Sequence, residues 1–234
     1  MQLFYHPEIT ADTTVFAFES DESKHIVKVL RKVPGDLLEI TNGKGFFFTV
    51  KLVDTHTRNC KAEVVKTQKV LPRKYQLHIA IAPTKTNDRF EWFLEKATEI
   101  GIDSITPLFC KNSERKIIKK ERYKKVMLSA MKQSLQSFLP RLNDPVSFHE
   151  FIAQEQLGQL FIAHCHAGER FSFKRKIQPD QPTTILIGPE GDFTEEEVQQ
   201  ALRKGFMPIT LGHNRLRTET AGLVACTTVA LCNL

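Results

Sequence analysis

The patterning of apolar residues changes once along the chain, at the polar stretch from Lys66 to Lys74, and this change limits the fold more than any other feature. Before it, apolar residues alternate or cluster in short runs bounded by turn residues. Phe16 and Phe18 flank Ala17, and Leu37-Leu38-Glu39-Ile40-Thr41 lies between Pro34-Gly35-Asp36 and Asn42-Gly43. Phe46 to Val50 follows at hairpin distance, and Lys61 to Val65 supplies another run. Such spacing predicts strands. Only Ser23 to Arg31 differs, with Ile26, Val29 and Leu30 on one helical face. Short strands with one helix predict a small β-barrel over residues 1–70.

After the stretch, which contains Pro72 and reads as a linker, strands and helices alternate. Strands are predicted at 77–82, 104–108, 159–163, 184–187 and 209–211. A helix over 89–100 carries Phe90, Phe93, Leu94, Ala97 and Ile100 on one side, with Gly101 in the C′ position. Further helices are predicted from about 120 to 138, from Thr194 with Glu197 completing a capping box, and over 218–231. Alternation through 75–234 predicts an α/β layer on a mostly parallel sheet. The 234 residues therefore divide into two unequal domains.

Charge is localised. From Lys111 to Val126 eight basic residues face only Glu114 and Glu121, a local excess equal to the net charge of +6 on the whole chain. A basic patch on a neutral body suits a polyanion, although a solvated helix face gives the same pattern. Lys119, Lys120, Lys124 and Lys125 are the candidate polyanion contacts in it. No run approaches the length of a membrane span, and the first residues lack the basic and apolar regions of a signal peptide. Five cysteines, widely spaced and without a C-x-x-C pair, predict free thiols in a cytoplasmic protein.

Chemistry is expected where strands end in glycine-containing loops, because ligands of open α/β sheets bind at the carboxyl ends of strands. Ile185-Leu186-Ile187 runs into Gly188-Pro189-Glu190-Gly191-Asp192, and the next strand runs into Leu211-Gly212 and on to Leu216-Arg217-Thr218-Glu219. Neither loop has the spacing of a dinucleotide fold or a P-loop. Taken singly, each could be a tight turn. His164-Cys165-His166 offers at most two ligands from one strand, with no cluster spaced to complete a metal site, so no metal is expected.

Together the two loops are more specific. Gly188-Pro189-Glu190-Gly191-Asp192-Phe193-Thr194, with Leu211-Gly212 and Leu216-Arg217-Thr218-Glu219-Thr220-Ala221 following about twenty residues later, resembles the C-terminal signature of the SPOUT RNA methyltransferases. Within them it is similar to the RsmE family, which methylates N3 of a uridine in 16S ribosomal RNA. His25, Val29, Leu30, Arg31, Gly35 and Asp36 resemble that family's N-terminal PUA-like barrel, and Lys96 to Gly101 with Ile105-Thr106-Pro107 resembles its catalytic domain. Gln133-Ser134 and Pro140 match a further stretch. Asp192 stands where the family more often has Gly.

The resemblance implies a SPOUT-type sheet tied in a trefoil knot, its last helix threaded behind the loop of Gly188 to Gly191, and a PUA-like barrel bearing Arg31 for RNA. It implies S-adenosyl-L-methionine bound by Gly188, Glu190, Gly191, Leu211, Gly212, Leu216 and Thr218, a homodimer, and the small ribosomal subunit as partner. Methylation at N3 requires the imide proton to leave while charge spreads onto the flanking carbonyls, so a cation and a carboxylate are the groups expected. Arg217 and Glu219 are the candidates. Glu219 could equally be a first-turn acid that favours its helix start. Two alternatives stay open: a different target nucleotide, or a ribosome-assembly protein without catalysis.

Overall fold

The computed structural model describes residues 2–234, and the chain forms two compact units. The first contains β1 (Leu3–Tyr5), β2 (Val15–Ala17), α1 (Ser20–Lys24), β3 (Leu37–Thr41), β4 (Phe46–Asp54) and β5 (Lys61–Lys69). Its sheet runs β1-β3-β4-β5-β2, antiparallel except for β1 beside β3. Leu38 pairs with Val50 and Ile40 with Phe48, and all four point into a core with Phe4, Ile26 and Ala62. The alternation that predicted strands thus fills one face.

Three sequence expectations change in this unit. Lys66 to Lys69, read as linker, extend β5 opposite Thr49 to Phe46; their exposed polar side chains gave no strand signal, and backbone pairing alone holds them. The helix expected through Arg31 ends at Lys24 and becomes a π-helical turn over His25–Val29, closed by the Leu30 N–H donating to His25 O at 3.0 Å. Arg31 follows, exposed and left-handed at φ 54°. Finally, Met131–Leu139 belongs to this unit and not to the stretch expected at 75–234. The Gly45 N–H donates to Ser137 O at 2.8 Å and the Leu139 N–H to Gly43 O at 2.9 Å. A Cβ on Gly45 would lie 2.5 Å from the Phe138 ring, so glycine is what admits the strap.

The second unit holds β6 (Leu77–Ile81), α2 (Asn87–Ile100), β7 (Ser104–Phe109), most of α3 (Lys120–Gln133), β8 (Arg141–Leu142), β9 (Val146–Ser147), α4 (Phe148–Ala153), β10 (Gln159–Ala163), β11 (Phe171–Ser172), α5 (Phe173–Lys176), β12 (Thr183–Ile187), α6 (Glu195–Arg203), β13 (Met207–Thr210) and α7 (Thr218–Cys232). All strands are parallel in the order β11-β13-β10-β12-β6-β7-β8, with β9 also beside β7. β12 lies between β10 and β6 and is buried at every residue. α3 stops before Phe138 because Leu135 turns left-handed at φ 55°. Gly101 closes α2 at φ 114°.

Two local devices set the site. Thr194 caps α6, accepting from the Glu197 N–H at 3.2 Å, while Glu197 Oε2 accepts from the Thr194 N–H at 2.8 Å. The other oxygen of this buried Glu197 accepts from the Lys111 N–H at 2.9 Å. Gly222 lets α7 lie against α2 and β6: a Cβ there would come 2.7 Å from Phe93 and 2.9 Å from Ile81. No helix among the described residues is long and apolar enough to cross a membrane.

Candidate active site

Because β13, β10 and β12 are adjacent and parallel, their carboxyl ends open on one side of the sheet, and a cavity of about 460 Å³ lies there. Ala163, His164 and Cys165 line it from β10, Ile187 to Glu190 from β12, and Ile209 through Arg217 from β13, with Thr218 and Ala221 of α7 closing one wall. The loops are tied together. The Thr218 hydroxyl donates to Gly188 O at 3.0 Å, Arg215 donates to Glu190 O at 3.3 Å, and the Asp192 carboxylate accepts from the Cys165 N–H at 2.7 Å.

Of the residues expected to hold the cofactor, Gly188, Glu190, Leu211, Gly212, Leu216 and Thr218 line this cavity. Gly191 does not; it lies against Asn112, whose amide donates to Gly191 O at 3.2 Å. Arg217 lines the cavity at the N-cap of α7, exposed and cationic. Glu219 is two residues on but lines a different cavity, with Asp88, Arg89, Trp92 and Thr220. It is buried, 6% exposed, and its Oε1 stands 3.9 Å from Arg89 Nε.

Polar and charged side chains line the larger cavity. A Cβ on Gly212 would meet nothing within 4 Å, so the protein's own packing does not require glycine there. His164 is 8% exposed, neither ring nitrogen has a hydrogen-bond partner among the described residues, and burial lowers its pKa, which favours the neutral imidazole. Arg170, which donates to His164 O at 2.8 Å, adds a cation to the wall. Sequence reasoning missed Arg170, Asp88 and Arg89, which lie in no motif and reach their cavities only through the fold.

The basic segment is partly neutralised. Lys120 pairs with Asp144 and Lys124 with Glu121 at 2.8 Å, whereas Lys119 and Lys125 are exposed and form no ion pair among the described residues.

Comparison with known proteins matches residues 71–230 to an RNA methyltransferase domain and residues 18–65 to an RNA methyltransferase PUA domain. Ribosomal RNA small subunit methyltransferase E of Buchnera aphidicola is 33% identical over 92% of this chain and 88% of its own length. This chain belongs to the ribosomal RNA small subunit methyltransferase E family. A solved probable rRNA methyltransferase from Porphyromonas gingivalis shares 38% identity at TM-score 0.93, covering 100% of this chain and 98% of that one. The methyltransferase E of Neisseria gonorrhoeae, solved bound to S-adenosyl methionine, shares 27% identity at TM-score 0.84, covering 97% of this chain and 95% of that one. Membership in the methyltransferase E family makes this chain an RNA methyltransferase whose α/β unit carries a PUA-type β unit before it.

Proposed function

We propose that the protein methylates N3 of a uridine in 16S ribosomal RNA of the small subunit, using S-adenosyl-L-methionine, as a cytoplasmic homodimer. The observation that carries this is the cavity at three neighbouring strand ends, bordered by Arg217 and by Gly212, where a side chain would project into space that no protein atom fills within 4 Å of its Cβ. The bound sulfonium supplies an already activated methyl group, so positioning can provide much of the rate.

This chain's residues do the rest. Backbone of Leu211, Gly212 and Leu216, with Gly188, Glu190 and Thr218, holds the cofactor, and Gly191 supports that loop from behind. Arg217 stabilises negative charge on a uracil carbonyl oxygen, and Glu219 accepts the N3 proton. Arg31 on the β unit, and Lys119 and Lys125 with the paired Lys120 and Lys124, meet RNA phosphates. The strand order β13-β10-β12-β6 supports a knotted return of α7. That helix also presents Leu223, Val224 and the 64% exposed Leu231 as an apolar face for a second copy.

Nucleoside mass spectrometry of small-subunit RNA tests the reading. A strain lacking the gene should have one 3-methyluridine fewer, restored by the intact gene. Failure of the protein to bind S-adenosyl-L-methionine by calorimetry would instead favour a non-catalytic assembly role.

A further inference from the structure

The first turn of α7 borders two cavities. Arg217 and Thr218 line the larger, and Glu219 and Thr220 line a second one of about 320 Å³ with Asp88, Arg89 and Trp92 of α2. Two independent features of the second cavity point to a ligand. Glu219 is 6% exposed, and its Oε2 is buried with no hydrogen-bond partner, while Oε1 reaches Arg89 Nε only at 3.9 Å. A buried carboxylate oxygen without a donor is costly to maintain, and the described residues supply none. Trp92, the single tryptophan, is 41% exposed at the same cavity. An indole left half in water beside an unsatisfied carboxylate offers a flat apolar face and an acceptor together.

The complement is a flat ring that stacks on Trp92 and carries an N–H for Glu219. Beside that N–H it needs an acceptor for Arg89, whose guanidinium adjoins the carboxylate. Uracil presents this edge, with N3–H between two carbonyl oxygens. Cytosine offers a lone pair at N3 and would face the carboxylate acceptor to acceptor. A uracil already methylated at N3 has no proton to donate.

We infer that this second cavity seats the uracil ring that receives the methyl group, with Trp92 as its stacking platform, Glu219 Oε2 as the acceptor of N3–H and Arg89 as donor to a flanking carbonyl. The inference rests on the uridine-N3 reading above and adds to it the place of the base and two residues, Trp92 and Arg89, that choose it. The same edge would release product, because the N3-methylated ring no longer satisfies Glu219.

The single tryptophan makes the cavity directly observable. The full-length protein, saturated with S-adenosylhomocysteine, is titrated with uridine 5′-monophosphate while Trp92 fluorescence is followed. Saturable quenching is expected, with 3-methyluridine and cytidine 5′-monophosphates requiring at least roughly tenfold higher concentration, a loss typical of one buried donor–acceptor pair. Absence of quenching by uridine monophosphate, or equal quenching by the other two, overturns the inference. In parallel, Trp92→Ala should lower kcat/KM on unmethylated small subunits roughly tenfold or more, the range for loss of one stacking platform. Trp92→Phe should recover most of it, and calorimetric affinity for S-adenosylmethionine should be unchanged in both. Wild-type kcat/KM in Trp92→Ala also overturns the inference. The two failures are separable: inactivity of the wild-type protein on small subunits counts against the uridine-N3 reading, whereas an active wild type without quenching counts against the cavity alone.

Discussion

The carboxylate of Asp192 accepts a hydrogen bond from the backbone N–H of Cys165 at 2.7 Å, which ties the loop after β12 to the loop after β10. Its other oxygen accepts from the Phe193 N–H at 2.8 Å. Asp192 is left-handed at φ 64°, a conformation that aspartate tolerates and alanine does not. Glycine at this place would avoid the strain but lose both bonds. Asp192→Ala should therefore be less stable than Asp192→Gly by about 1–2 kcal/mol in urea denaturation. Equal stabilities would mean the loop relaxes out of the left-handed region.

Two glycines should answer differently to added side chains. At Gly212 nothing lies within 4 Å of a Cβ, so Gly212→Val should keep its stability within about 0.5 kcal/mol while calorimetric binding of S-adenosylmethionine disappears. At Gly222 a Cβ would overlap Phe93 at 2.7 Å, so Gly222→Ala should lose about 1–3 kcal/mol of stability, beyond the roughly 1 kcal/mol of helix propensity gained.

Arg217→Ala should lower turnover by about 10² to 10³ with cofactor affinity nearly unchanged, the loss typical of one preorganised charge-stabilising group. Glu219→Gln keeps the shape and removes basicity. If Glu219 takes the N3 proton, activity of the Gln variant should recover at high pH, where uracil ionises unaided. Full activity at every pH would reduce Glu219 to a helix-start residue. A pH-rate profile of both variants on small subunits distinguishes these outcomes.

Stability should depend on His78. Burial on β6, against the ring of Phe151, lowers its pKa to about 4, and its Nε2 lies 2.7 Å from the Thr106 hydroxyl. Between that value and the ordinary histidine value of about 6.5, the unfolded chain binds the proton and the folded one does not. The contribution, about 3 kcal/mol, is present above pH 6.5 and is lost as pH falls toward 4. Urea midpoints measured at pH 7 and 4.5 should show this drop, and His78→Gln should shrink it.

RNA affinity should draw on the unpaired lysines first. Replacing Lys119 and Lys125 by Glu should reduce the slope of log affinity against log salt by about 1.4 to 1.8, for two phosphate contacts. Replacing Lys120 and Lys124, which already have Asp144 and Glu121 beside them, should change it less. Filter binding across a salt series reads both slopes.

Sequence patterning revealed most of this architecture where side chains are sorted between core and solvent. α2, β12 and the capped α6 stand within a few residues of their expected places because their burial is periodic or complete. It was silent where backbone alone does the work. The end of β5 carries only exposed polar residues, and the π-helical turn at His25 keeps the apolar face of an ordinary helix. α4 had a signal that went unread, since Ser147 and Glu150 form a capping box. At the cavities, residues adjacent in sequence were visible through their motif, but Asp88, Arg89 and Arg170 meet theirs from other elements. Arg217 and Glu219, read as one pair, border separate cavities.

The Met131–Leu139 strap has an evolutionary consequence. Its hydrogen bonds to Gly43 and Gly45 mean that the chain leaves the methyltransferase unit midway, completes the N-terminal unit, and returns. The N-terminal unit is therefore no detachable cassette. A recombination event that exchanged it at Pro72 for another RNA-binding module would strand Ser137, Phe138 and Leu139 without their partners.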